Sequence, residues 1–416
     1  MKFSGKLAII LVAVTLLPQA GFSSSKFVVK PRFSSASRFD SNFYLTKDNE
    51  RAVYTYLVQP GIQLGIEAPK TKAYIDYTFE TYFYRDKDSV SSNEDPASSN
   101  DYFGHLVNFS ASHNLNPRIT LGFDDTFYRT LYPYNYDRLS DNIEKRQYDI
   151  NRLTPSFLYE FEDRLSLGVR YRKTDISYED SSEGDSTEHR GYVGLIYYPT
   201  KTLSFELDYQ HWLTNYENNS PGYTSDQLRL NFQKRFKYYT FDAGTGYHIR
   251  SFEDSKFDDA DTVSFKVSFS GQNPPPPEIK RPPGMHFIRS RSHFYVAAER
   301  NFSNYDSYYA ADRFTMSLGH VFFRKILARI KGYYQMSDYE QFGGLNANRE
   351  DNIYNVSGSL GYLFAKNLSL SFTAGREVRN SNFSDYDYKN NFFMLTLDFN
   401  WDIGSRGGHT EEALYY

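Results

Sequence analysis

Asp242 and His248 lie on the same side of one alternating polar–apolar segment, an acid and a base that could together move a proton. Six residues of extended chain separate them, which is about 20 Å and too far for a dyad. A pair assembled across neighbouring strands stays open. The nine histidines (105, 113, 189, 211, 248, 286, 293, 320 and 409) are scattered. No HExxH, cysteine pair or His-x-His spacing suggests a metal site, and no G-x-S-x-G elbow suggests a nucleophile. Asp258, Asp259 and Asp261 could hold Ca²⁺ in a surface loop or simply be a solvated acidic loop. The GTG and GGL stretches lack the strand–helix setting of a phosphate loop. These residues predict no enzyme, no metal and no cofactor.

A second set of residues points to different chemistry. Asp124, Arg170, Arg172, Glu206, Asp208, Arg229, Asp242, Lys266, Arg329, Lys331 and Asp398 each occupy the polar side of an alternating segment. Both charge signs occur, interleaved with Ser, Thr, Asn, Gln and Gly. Any water-facing surface looks like this. As the wall of a pore it would be weakly charge-selective, because anion or cation channels carry one sign in excess. Each water contact that a polyhydroxylated solute loses there is replaced by another polar contact.

The elements that carry these residues are strands. In LTPSFLYEFEDRLSLGVRYRK (153–173), Phe157, Tyr159 and Phe161 alternate with Ser156, Leu158 and Glu160. After Glu162, Asp163 and Arg164, Leu165, Leu167, Val169 and Tyr171 alternate with Ser166, Gly168, Arg170 and Arg172. This is a hairpin with a two-residue period. The pattern recurs and predicts 18 strands at 30–45, 51–67, 72–86, 101–115, 119–133, 148–162, 165–179, 187–199, 203–217, 223–237, 239–253, 262–272, 285–303, 311–324, 328–341, 352–365, 368–382 and 387–403. Most are about 13–16 residues long, against about 5–6 in soluble sheets and about 9–11 needed to cross a bilayer.

Connections alternate in length. Tight turns at 69–72, 116–118, 162–164, 200–202, 237–239, 324–327 and 365–367 are interleaved with longer polar loops at 87–100, 134–147, 181–186, 218–222, 254–261 and 345–351. Transmembrane barrels sort their connections this way; a soluble sandwich has no reason to. No loop exceeds about 15 residues, so any narrowing must come from side chains or from loops 87–100 and 134–147, which favours an open conduit. Aromatic residues are 18% of the chain and crowd the strand ends, where Tyr suits the headgroup level. Mean hydropathy is −0.64, as in barrels, where half of each strand meets lipid. The net charge of −4 gives no reason to expect nucleic acid as a partner. Cysteine is absent, as suits an oxidising periplasm.

Lys2 and Lys6 precede an apolar run from Leu7 to Leu17 and then small residues, which is the layout of a signal peptide. The expected organisation is a signal at 1–25, one barrel at 26–403 and a tail at 404–416. One connection breaks the rhythm: QNPPPPEIKRPPGMH (272–286) stands where a tight turn belongs. Pro274, Pro275, Pro276 and Pro277 form a stiff segment that cannot join a ladder. It is read as a docking element for a periplasmic partner, with a domain linker as the alternative.

FVVKPRFSSASRFDSNFYL (27–45), followed by VQPGIQLGIEAPKTKAYIDYTFETYFY (58–84), resembles the opening of the second putative β-barrel porin family. The matching positions are Pro31, Asp40, Ser41, Asn42, Pro60 and Gly61. The resemblance implies an outer-membrane exit for a secreted exopolysaccharide, working with a periplasmic polysaccharide-export component. One departure is that GSRGGHTEEALYY follows the last strand, whereas such barrels end on an aromatic residue. The expectation is therefore an all-β, transmembrane, antiparallel up-and-down β-barrel of 18 strands in a Gram-negative outer membrane, with outer-membrane lipid outside and polysaccharide inside. A general diffusion porin, a lipid or peptide hydrolase barrel and an adhesive barrel are the rivals.

Overall fold

The computed structural model describes residues 25–88, 96–131, 139, 147–179, 185–217, 221–254, 258–273, 292–303, 309–339, 349–365 and 367–400. Eighteen strands follow in chain order: β1 (Lys26–Asp40), β2 (Val53–Glu67), β3 (Thr71–Asp86), β4 (Tyr102–Asn116), β5 (Ile119–Thr130), β6 (Tyr148–Glu162), β7 (Leu165–Tyr178), β8 (Ser186–Thr200) and β9 (Leu203–Tyr216), then β10 (Tyr223–Arg235), β11 (Tyr239–Phe252), β12 (Ala260–Asn273), β13 (Ser292–Phe302), β14 (Ala310–Phe322), β15 (Ile326–Asp338), β16 (Glu350–Ala365), β17 (Leu368–Ser381) and β18 (Tyr388–Asn400). Each pairs antiparallel with its chain neighbours, and β18 returns to β1 from Arg32↔Asn400 to Asp40↔Phe392. The sheet is a closed antiparallel barrel of 18 strands, without the free edge that an open sheet exposes.

The alternation sorts the side chains into an inverted core. On β9, Asp208 is 2% exposed and its neighbour Leu207 is 50% exposed. The same split holds for Ser264 against Val263, Gln227 against Leu228 and Ser166 against Val169. Polar side chains crowd the concave face. Leu, Val and Phe cover the convex one, where hydrocarbon replaces the water that would make such a surface costly. The outward aliphatic and aromatic residues therefore form a lipid-facing belt.

Several strand bounds depart from the sequence expectation, among them those of β1, β5, β14 and β15. The first ends at Asp40 rather than near residue 45, because the chain turns at Asn42 and Leu45 takes a φ of 55°. The β14–β15 turn falls at 323–325 rather than 324–327. There Phe323 and Arg324 have φ values of 48° and 62°, the left-handed geometry that matches strand twist in a tight hairpin. Residues 1–24, 274–291 and 401–416 lie outside the described residues, and with them the signal segment, Pro274–Pro277 and the tail.

The motifs that carried the family resemblance have structural work. Asn42 is fully buried at the seam between first and last strands. Its Nδ2 donates to the carbonyls of Thr46 (2.6 Å) and Lys389 (3.1 Å), and its own N–H donates to Asn390 Oδ1 (3.1 Å). Asn390 Nδ2 donates to Asp40 Oδ1 (2.8 Å), and the N–H of Asn391 donates to Ser41 Oγ (2.8 Å). Asp40, Ser41 and Asn42 thus stitch the barrel shut. Gly61, in β2, leaves a gap that Arg32 crosses: an added Cβ would stand 2.6 Å from Arg32 Nε. The guanidinium passes over it to Asp76 on β3, with Nη1–Oδ2 at 2.7 Å.

Candidate functional site: the barrel lumen

Strand parity places all eleven charged residues singled out from the sequence on the inward face. Their surroundings differ. Asp208 accepts from Gln210 (3.0 Å) and from Asn231, which in turn accepts from Arg229 (3.1 Å). Glu206 accepts from the Tyr192 hydroxyl, and Arg170 lies 3.9 Å from the centre of the same ring. Asp242 accepts from Gln233 (2.6 Å) and Ser268 (3.4 Å), and Asp398 from Ser34 (2.7 Å). Lys266 Nζ stands 3.9 Å from Glu299. Arg329 and Lys331 follow one another along β15, and Asp124 lies across from Thr154 on β6. The set is spread over eight strands and converges on no single point.

The densest charge cluster includes residues outside that set. Glu188 on β8, 2% exposed, accepts from Arg172 (2.8 Å) and Arg190 (3.0 Å), which face each other across β7 and β8. Arg190 stacks on Trp212 at 3.9 Å, and Arg250 lies over Tyr223 at 4.2 Å. A buried carboxylate between two guanidiniums is compensated, whereas a lone one is not. Glu188 and Arg190 obey the same alternation as Arg170 and Arg172, so the signal was present in the sequence.

The proton-transfer candidates separate. His248 Nδ1 is 2.8 Å from Asn301 Oδ1, and Asp242 sits lower on the same strand with other partners. Among the described residues an acid–histidine pair does form across neighbouring strands: His211 Nδ1 and Asp226 Oδ1 are 2.9 Å apart. It faces outward, about half exposed, and the third member is the Tyr209 hydroxyl. Asp259 accepts from the N–H of Phe252 (3.1 Å) and Asp261 from the Tyr247 hydroxyl. No group of three or more potential metal ligands exists among the described residues.

One contact reshapes the lumen. Eighteen strands about 4.8 Å apart and tilted by about 40° close at a backbone radius of roughly 18 Å. Leu139 belongs to the β5–β6 connection, yet it is 6% exposed and packs with Ala260, Phe302, Tyr309, Ala310, Ala311 and Tyr339. Its carbonyl accepts from the Tyr309 hydroxyl (2.6 Å) and from Gln335 Nε2 (2.9 Å), an inward residue of β15. β14 stands nine places from β5 in a ring of 18, on the opposite wall. Of the sources of narrowing that the sequence left open, loop 134–147 is one, and a residue of it is fixed inside the bore. Beside it, against β10–β13, lies a recess of about 230 Å³ lined by Gln227, Arg229, Ser264, Lys266 and Glu299.

Residues 297–400 match the family described as "Putative beta-barrel porin 2". No curated protein matches the chain. Among solved structures, the crystal structure of Pseudomonas aeruginosa OpdK with vanillate is similar, with a TM-score of 0.50 and 10% identity over 90% of this chain and 99% of that one. Acinetobacter baumannii OccAB2 gives 0.49 and 12% over 90% and 98%, and Pseudomonas aeruginosa OccK9 (OpdG) gives 0.49 and 11% over 90% and 98%. At such identities the likeness is one of fold. With the lipid-facing belt, it agrees with a β-barrel of the outer membrane.

Proposed function

We propose, for a barrel whose residues 297–400 carry a porin-family match, that it conducts small polar solutes passively across the outer membrane. The observation that carries this reading is Leu139 held against the opposite wall by Tyr309 and Gln335 inside a polar bore. Such a bore offers hydrogen bonds along its length and an obstruction at one level. That combination suits solutes of a few heavy-atom shells better than a polymer. Export of an exopolysaccharide with a periplasmic partner rests on the N-terminal resemblance and on Pro274–Pro277, and it asks for a bore that admits a chain of sugars.

Planar-bilayer conductance together with liposome swelling in a series from monosaccharide to octasaccharide tests the choice. Small solutes should enter and the longer oligosaccharides should not. Tyr309→Phe with Gln335→Leu removes both donors to Leu139 and should raise conductance and the size limit together. Free passage of the octasaccharide through the unaltered protein, with loss of surface polysaccharide on gene deletion, would return the export reading. A protein that conducts nothing would end both.

A further inference from the structure

β12 and β13 are paired over only part of their length. Their ladder runs from Asn273↔Ser292 to Phe265↔Arg300 and stops there. Beyond that level, toward the end with the longer loops, β12 continues to Ala260 against β11, and β13 continues to Phe302 against β14. Carried on, the register would set Val263 opposite Phe302, a pair that is absent among the described residues. The Gln272 N–H points toward β11, where it donates to the Tyr238 carbonyl (3.0 Å). Backbone direction alternates along a strand, so Val263 turns its N–H and C=O toward the missing partner. The next seam, β14–β15, is by contrast paired from Phe322↔Ile326 to Ala310↔Asp338.

The end of β13 goes inward instead. Phe302 and Ser303 are buried. The Phe302 ring lies against His248 and Arg250. Asn301 Oδ1 is 2.8 Å from His248 Nδ1, and Arg250 Nη1 donates to the Ser303 carbonyl (3.0 Å). His248 and Arg250 are inward residues of β11, so β13 reaches past β12 on the inside of the wall. The recess beside Leu139 follows this parting: besides inward residues it is lined by Phe265 and Arg300, whose strand parity points toward lipid. Outside, the exposed side chains of Ile249, Val263 and Phe314 flank it. One side chain crosses it. Arg300 donates from Nε to Thr262 Oγ1 on β12 (3.2 Å) and from Nη1 to Asp312 Oδ2 on β14 (2.9 Å).

We propose that the parting is a side portal in the barrel wall, latched by Arg300, through which a single-chain amphiphile with an uncharged hydroxylated head passes between the bore and the outer leaflet. An alkyl chain gains by entering hydrocarbon between Val263 and Phe314, whereas a bare sugar would surrender its hydrogen bonds there. The head stays with the recess. Its charges are balanced within the wall: Lys266 stands by Glu299, and Arg229 faces Asp208 in register and is joined to it through Asn231. No excess of one sign is left to select an ion, and Gln227 and Ser264 offer hydrogen bonds to hydroxyl groups. A backbone edge without a partner is costly in hydrocarbon, so a latch that fills the parting at rest is part of the device. The inference rests on the pore reading only for the inner end of the route.

The test uses the absence of cysteine from the chain. Lys266→Cys places a thiol on the recess, and Lys331→Cys places one on the inward face of β15, away from the seam. Each is reconstituted in vesicles and labelled either by N-octadecylmaleimide, confined to the bilayer, or by a water-soluble sulfonated maleimide. Both thiols should take the soluble reagent. The bilayer reagent should modify Lys266→Cys faster than Lys331→Cys, and adding Arg300→Ala should raise the first rate about tenfold, the effect of one charge-assisted hydrogen bond, without moving the second. Decyl glucoside below its lytic concentration should slow that labelling, and glucose should not. Heat-modifiable migration in gels shows that each variant is a barrel. Equal rates at the two positions, or a rate at Lys266→Cys that Arg300→Ala leaves unchanged, would overturn the portal, while normal KCl conductance of the same vesicles kept the pore reading. Glucose protecting as well as decyl glucoside would overturn the amphiphile. Arg300-dependent labelling from the bilayer in a protein without conductance would end the pore reading and keep the portal.

Discussion

Replacing Asn42 by alanine opens the seam on which closure depends. Three side-chain hydrogen bonds disappear: two from Nδ2, to the carbonyls of Thr46 and Lys389, and one accepted by Oδ1 from the N–H of Thr46 (3.2 Å). The bond from the Asn42 backbone to Asn390 survives, since alanine keeps its N–H. At about 1 kcal/mol net for each lost bond, the expected destabilisation is about 3 kcal/mol, less whatever water restores at the exposed Thr46. Asn42→Asp is the sharper probe. It keeps the acceptor for Thr46 but sets a carboxylate against two carbonyl oxygens, near Asp40. It should be at least as damaging as alanine. Urea unfolding of vesicle-reconstituted protein, followed by tryptophan emission, reads both changes through the midpoint at constant slope. An alanine variant within about 0.5 kcal/mol of the parent, or an aspartate variant more stable than alanine, would refute the account of the seam.

Other outcomes follow from the same geometry. Leu207→Arg puts a cation in the lipid belt and should cost about 2–4 kcal/mol, whereas inward Ser204→Arg should leave the unfolding midpoint nearly unchanged. Glu188→Gln strands two guanidiniums around a neutral amide. It should cost about 3–5 kcal/mol in the same assay, with part recovered when Arg172→Gln is added. Gly246→Ala should cost about 1–3 kcal/mol in the same unfolding assay, because its Cβ would stand 2.2 Å from the Leu228 carbonyl oxygen on β10. Liposome swelling should separate Tyr309→Phe with Gln335→Leu from the parent by the size of the largest sugar admitted.

Strand count, strand bounds and the sorting of side chains into two faces were legible because alternation is local. Leu207 and Asp208 declare opposite sides of a strand whatever that strand pairs with. The same rule set Arg170, Arg229 and Lys266 on one side, and it would have found Glu188, Arg190 and Glu299 had they been read. Glycine was harder to interpret. Gly61 and Gly246 look like breaks in a pattern, and their use appears only when Arg32 and Arg229 are seen lying across them.

What the sequence determined by itself is which residues share a face and that one face tolerates hydrocarbon. What tertiary structure decided is which distant residues meet. The stitch of Asn42 to Asn390 and the placement of Leu139 beside Gln335 join positions far apart in the chain. No periodicity encodes such meetings. They depend on the ring closing at a particular register, and closure is a property of all the strands at once.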